Sequence, residues 1–198
     1  MLTDDEISHA ARYVEELRLF VHNMDVPNNN RVRAAGSCFA IAQEQHHAIV
    51  RLIEWRLFAA AFSLVRSEFE AYVRGAWLLH CASDELIEGF IQGTEPPRID
   101  CLLEQLEMLD SFSENSLSRI KNKTWRSMCA YTHTGGLHVQ RWNTENGIEA
   151  NYAKEEIVEV LRFAEIIASL AAIGVACLAA DDEMAARILE ATERKVQA

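Results

Sequence analysis

Proline is almost missing from this chain, 3 in 198 residues, and there are only 8 glycines. So few helix breaks, beside much Ala, Leu and Glu, exclude a turn-rich β architecture and predict long helices. Cysteine is scarce and odd in number, with five at 38, 81, 101, 129 and 177 and no C-x-x-C pair. That argues against a disulfide scaffold or a zinc ribbon and fits reduced thiols in a cytoplasmic protein. Long hydrophobic runs are lacking too. The longest, IIASLAAIGVACLAA from Ile166 to Ala180, has 15 residues, where a membrane span needs about 20. It is expected as a buried helix, in the core or at a dimer interface. The opening stretch MLTDDEISHAARYVEELRLF starts with acids, unlike a signal peptide.

Familiar catalytic signatures are absent as well. There is no Walker loop, no G-x-G-x-x-G and no G-x-S-x-G, so phosphate-loop hydrolysis, dinucleotide redox chemistry and α/β-hydrolase chemistry are not indicated. A single E-x-x-H, Glu44 to His47, stands alone; a di-iron bundle needs a second one and two further carboxylates. No cofactor and no metal are expected. The formal net charge of −11 removes the global electrostatic footprint of a nucleic-acid binder.

What is present is helical patterning. Hydrophobic residues make up 49% and charged residues 25%, the balance of a soluble globular protein, and the length suits one domain. Thr3-Asp4-Asp5-Glu6 has the capping-box form. Ile7, Ala10, Ala11, Val14, Leu17 and Val21 then recur at helical spacing, and residues 25–30 end the first helix. A helical region is expected over 31–80, bending near Gly36 or breaking near Trp55. A short helix starts at Ser83, another runs from Pro97 to about Leu109, and residues 113–134 form a further helix or a broken pair closed by Gly135-Gly136. Residues 143–151 are loop-like, Ala153 to Ala180 is a long helix, and a last polar helix reaches Arg194. The fold class is all-α: a single-domain helical bundle of two long antiparallel pairs, with short helices crossing one end.

One absence is local. The 30 residues from Asn115 to Thr144 contain no Asp or Glu, although they hold Arg119, Lys121, Lys123, Arg126, Arg141, His133 and His138. Such a patch can focus a field on an anion despite adverse net charge, and Trp125, Tyr131 and Trp142, interleaved with the bases, suit stacking on nucleobases. The competing reading is that these bases balance the acidic helices by packing against them.

Within the patch, Arg126 and His133 are seven positions apart. At about 100° per residue, seven steps return to within about 20° of the start. Both side chains then share a helix face, separated by the small Cys129 and Ala130. The negative helix end beside His133 favours a protonated imidazole. Such a ring suits proton transfer, while Arg126 suits holding a phosphate through its fork of donors. His138 and Arg141 follow the glycines and are expected to reach the same site. Arg66 and Glu70, in Arg66-Ser-Glu-Phe-Glu70-Ala, are four apart and suit pairing along a helix.

Arg126-Ser-Met-Cys-Ala-Tyr-Thr-His133 resembles the R-x4-6-H motif of the HEPN-like superfamily of all-helical domains, and the Arg66-to-Glu70 segment is similar to one seen in some of its members. The resemblance covers these residues and, loosely, the bundle. It implies a HEPN-like fold and a metal-independent endoribonuclease of toxin or defence type. The ribose 2′-hydroxyl attacks the adjacent phosphate, with Arg126 and His133 as catalytic positions. Ser127 stands where the family commonly has Asn, Asp or His. The resemblance further implies a homodimer that joins two motifs across a twofold axis, an RNA or nucleotide ligand and, for a toxin, an antitoxin partner. Silent members serve as binding modules, which gives the alternative of a non-catalytic helical module for nucleotide, RNA or protein. Arg66, Glu70, Ser127, Tyr131, His138 and Arg141 are expected as supporting residues.

Overall fold

Thr3 starts the first helix as its sequence predicts. Its hydroxyl accepts the Glu6 amide at 3.2 Å, the Glu6 carboxylate accepts the Thr3 amide at 2.7 Å, and α1 runs Asp4–Val21. The computed structural model describes residues 2–197, and among them nine α-helices and one two-stranded ribbon follow one another.

The region expected over 31–80 is cut near Trp55 and passes Gly36 without a break. It forms α2, Asn30–Glu54, and α3, Phe58–His80. At the cut, Arg56 takes the left-handed conformation (φ 60°), its amide donates to the Ile53 carbonyl at 3.0 Å and the Leu57 amide to the Leu52 carbonyl at 2.7 Å. This is a Schellman closure with arginine where glycine is usual, at a cost of about 1 kcal/mol. The chain then reverses, and Gln45 of α2 donates to the Ser67 hydroxyl of α3 at 2.7 Å.

Short helices follow: α4, Asp84–Ile91, whose Leu86 amide donates to the Ser83 hydroxyl, and α5, Ile99–Leu106, which stops short of Leu109. A 3-10 turn at Asp110–Phe112 leads to α6, Ser116–Thr132, and α7, Gly136–Gln140. The stretch expected as loop contains the ribbon, β1 (Asn143–Thr144) against β2 (Gly147–Ile148), antiparallel with Asn143 opposite Ile148. Two-residue strands are too short to leave an alternating pattern. The chain ends in α8, Lys154–Leu178, and α9, Asp182–Gln197.

The long helices do not form two separate pairs. They form a triplet, α2, α3 and α8, around the Phe39 ring, because α3 and α8 each bring a glycine to it. A Cβ on Gly75 would lie 2.6 Å from that ring, and one on Gly174 would lie 2.5 Å from it. The other flank of α8 is also made of small residues. Ala168, Ala172 and Ala176 pack with Tyr13 and Leu17 of α1 and Ile188 of α9. Small side chains on both flanks let α8 sit in the middle, so the run from Ile166 serves as core. By length and composition α8 is long and apolar enough to cross a membrane, and half of its most apolar window is buried inside the bundle. All five cysteines are free thiols.

Candidate functional site

Helix α6 carries the acid-free stretch. It buries Leu117, Met128 and Tyr131 and leaves Arg126 exposed on the outer side. His133 is its C-cap, also exposed. The left-handed residue that closes it is Thr134 (φ 53°), not a glycine. Gly135 comes next in extended backbone, and its amide donates to the Ala130 carbonyl at 2.7 Å. A Cβ there would sit 3.0 Å from the Ala130 Cα, so Gly135 is needed for close approach rather than for its dihedrals. Gly136 opens α7.

Thr132 fastens this end of α6 to α3. Its hydroxyl lies 2.9 Å from the Met128 carbonyl and 3.2 Å from the Ser63 carbonyl on α3. His133 is thereby placed beside Arg66, whose Nη1 donates to His133 Nε2 at 2.7 Å. A guanidinium can only donate, so Nε2 accepts and the ring proton sits on Nδ1. Arg66 is fixed in turn. Its Nε donates to Glu70 Oε1 at 2.7 Å, and Arg74 Nη2 donates to Glu70 Oε2 at 2.6 Å. The guanidinium carbon lies 4.7 Å from the centre of the Trp125 ring, which Lys121 also approaches at 5.4 Å. Lys121 forms an ion pair with Asp100 of α5.

The residues named from the sequence divide into separate groups. Arg66, Glu70 and His133 form one hydrogen-bonded chain. Arg126 is exposed on α6, and no acid pairs with it among the described residues. Ser127, Tyr131 and Arg141 line a different feature, a cleft of ≈ 330 Å³ between α6 and α8 that neither Arg126 nor His133 lines. There Arg141 Nε donates to both Glu156 oxygens, at 3.0 and 2.9 Å, and Tyr131 is buried edge-on to Phe62 with centroids 5.0 Å apart. Tyr131 is thus a packing residue rather than a stacking platform, and burial pushes its phenol pKa up. His138 does not reach the surface either: it is buried, and its Nδ1 donates to the Tyr131 carbonyl at 2.9 Å, satisfying the end of α6.

The bases of the acid-free stretch divide into two sets. Lys121 and Arg141 pair with acids brought from α5 and α8, whereas Arg126 and Lys123 have no such pair among the described residues. Sequence reasoning missed Arg74, although Arg66-x3-Glu70-x3-Arg74 is a legible i, i+4 ladder. It also missed that Trp125 would underlie Arg66, a contact between residues far apart in the chain.

A family described only as being of unknown function, DUF6988, matches residues 39–197. No curated protein and no solved structure matches the chain.

Proposed function

The chain belongs to the DUF6988 family, and since that description assigns no chemistry, we propose from the site's geometry a metal-independent endoribonuclease centred on His133. The observation that carries the reading is an exposed imidazole held by an arginine. Arg66 Nη1 meets His133 Nε2 at 2.7 Å, with the exposed Arg126 on the same helix and Trp125 beneath Arg66. The R-x6-H resemblance to the HEPN-like superfamily supports the same chemistry.

In this reading the two arginines hold the phosphodiester and stabilise its growing negative charge. Nε2 takes the proton of the ribose 2′-hydroxyl. The 2′-oxygen bonds to phosphorus, the bond from phosphorus to the 5′-oxygen breaks, and that oxygen takes a proton from water. The products are a 2′,3′-cyclic phosphate and a 5′-hydroxyl end. None of these steps calls on a metal. The homodimer, the toxin or defence role and an antitoxin partner enter only through the resemblance.

A second reading, a non-catalytic module that binds RNA, a nucleotide or a protein, is favoured by one observation. The lone pair needed for proton abstraction is already filled by Arg66. Cleavage of RNA with EDTA present separates the two. The nuclease reading expects 2′,3′-cyclic phosphate ends from the wild type and their loss in His133→Ala. Binding without cleavage selects the second reading.

A further inference from the structure

We infer that Arg66 is a latch on His133, opened by a phosphodiester oxyanion, so that the imidazole is silent until substrate arrives. The inference rests on the nuclease reading of His133.

Arg66 is anchored at one end. Its Nε is fixed to Glu70, which Arg74 holds from the other side, and its guanidinium carbon lies over the Trp125 ring at 4.7 Å. The outer end is different. One Nη1 hydrogen goes to His133 Nε2. A guanidinium carries five N–H groups, and the remaining three have no partner among the described residues. Two of those three are on Nη2, and the Nη1–Nη2 edge, with one hydrogen from each nitrogen, is the edge that receives two phosphate oxygens side by side.

The contact with His133 therefore does two things at once. It locks the ring in the tautomer that carries its proton on Nδ1, and it fills the lone pair that would take the 2′-hydroxyl proton. A phosphate oxygen carries charge and accepts a guanidinium hydrogen more strongly than a neutral ring nitrogen does. When a phosphodiester docks on that edge, its oxygen takes the place of the exposed His133 ring at Nη1 and Nε2 is released. The released nitrogen takes the 2′-hydroxyl proton as the bond from the 2′-oxygen to phosphorus forms and the bond to the 5′-oxygen breaks, the leaving oxygen being protonated by water. The contact with Trp125 and the anchor on Glu70 keep the guanidinium in place while its outer end changes partner. Arg66 is thus a positioning residue for His133 in the free protein and a phosphate contact in the complex.

Acylation of the full chain by diethyl pyrocarbonate tests this, because the reagent attacks an unprotonated ring nitrogen with a free lone pair. Peptide mapping separates His133 from the other six histidines. In the wild type His133 should label slowly, and inorganic phosphate should speed it by roughly tenfold, the factor that one displaced hydrogen bond represents. Arg66→Gln and Arg66→Ala should label fast and ignore phosphate. A wild type that phosphate protects or leaves unchanged overturns the latch, as do Arg66 variants that label at the wild-type rate. Should an Arg66 variant fail to fold, the phosphate arm on the wild type decides alone. RNA cleavage, run in parallel, distinguishes the two claims. Cleavage without phosphate-accelerated labelling sinks the latch and keeps the nuclease. Accelerated labelling without cleavage keeps the latch and sinks the nuclease.

Discussion

Two histidines of this chain occupy opposite surroundings. His133 is exposed and accepts a hydrogen bond from Arg66. His46, on α2, is buried with its Nε2 unpartnered, and burial lowers its pKa to about 3. Two glutamates of α3 repeat the contrast. Glu70 is clasped by Arg66 and Arg74, whereas Glu68 is 0% exposed, both its oxygens lack a partner, and burial raises its pKa well above the usual carboxylate range. The same side chains are thus held by partners on the surface and stripped of charge inside. A buried charge without a partner costs more than a neutral group. The surface pair can do proton chemistry, while the interior pair costs stability.

The largest effect that would sharpen this contrast is on cleavage. His133→Ala should lower the rate of RNA cleavage by roughly 10²–10⁴-fold, while His46→Leu leaves it unchanged. Equal losses in both would mean that His133 acts only through the fold. Next comes Arg126→Ala, expected to cost roughly 10²-fold as the loss of one oxyanion contact, with the melting temperature unchanged. A drop in melting temperature would instead reveal a structural role.

The interior pair should respond in stability. At pH 7, Glu68→Met should raise the unfolding free energy by about 1–3 kcal/mol, read from the urea midpoint, because an unpartnered polar group leaves the core. A destabilised variant would show that Glu68 has a partner after all.

The smallest effect is a slope. Folded His46 stays neutral down to about pH 3, while the unfolded ring takes a proton near 6.5. Below 6.5 the unfolded chain therefore binds more protons, and stability falls as the pH drops towards 3, by at most about 1.4 kcal/mol per pH unit. Glu68 acts with the opposite sign. Its folded carboxyl keeps a proton that the unfolded one loses near 4.5, so stability falls as the pH rises above that. Between these values the two slopes cancel. Unfolding of His46→Leu followed between pH 3 and 7 should lack the acid-side loss, and an unchanged acid limb would show that other groups set it.

The contrast also explains which parts of the sequence were legible. Glu68 and Glu70 are two residues apart and so about 200° around the helix. Periodicity separates them, but it does not say which one meets Arg74 and which meets the core. The Thr3–Glu6 box, the Ser83 cap and the small-residue run of α8 are local signals, and each appears where the sequence places it. The helix ends at Arg56 and Thr134 were less legible, since both use left-handed residues that are not glycine. There the backbone strain is offset by closure and packing, which no single residue type announces. At the site, a spacing of seven puts Arg126 and His133 at similar angles around the helix, and both are exposed. The partner of His133 does not follow from spacing, because Arg66 is 67 residues away.

The sequence by itself determined that the protein is helical, where most helices begin, and that acids are kept from residues 115–144. Those properties arise from propensity, caps and composition, which act within a few residues. Only the tertiary structure decided that Arg66 meets His133, that Arg141 turns to Glu156 and that His138 closes a helix from inside. Each of these pairings joins separate elements, and its geometry exists only once three long helices have packed around Phe39 and its two glycines.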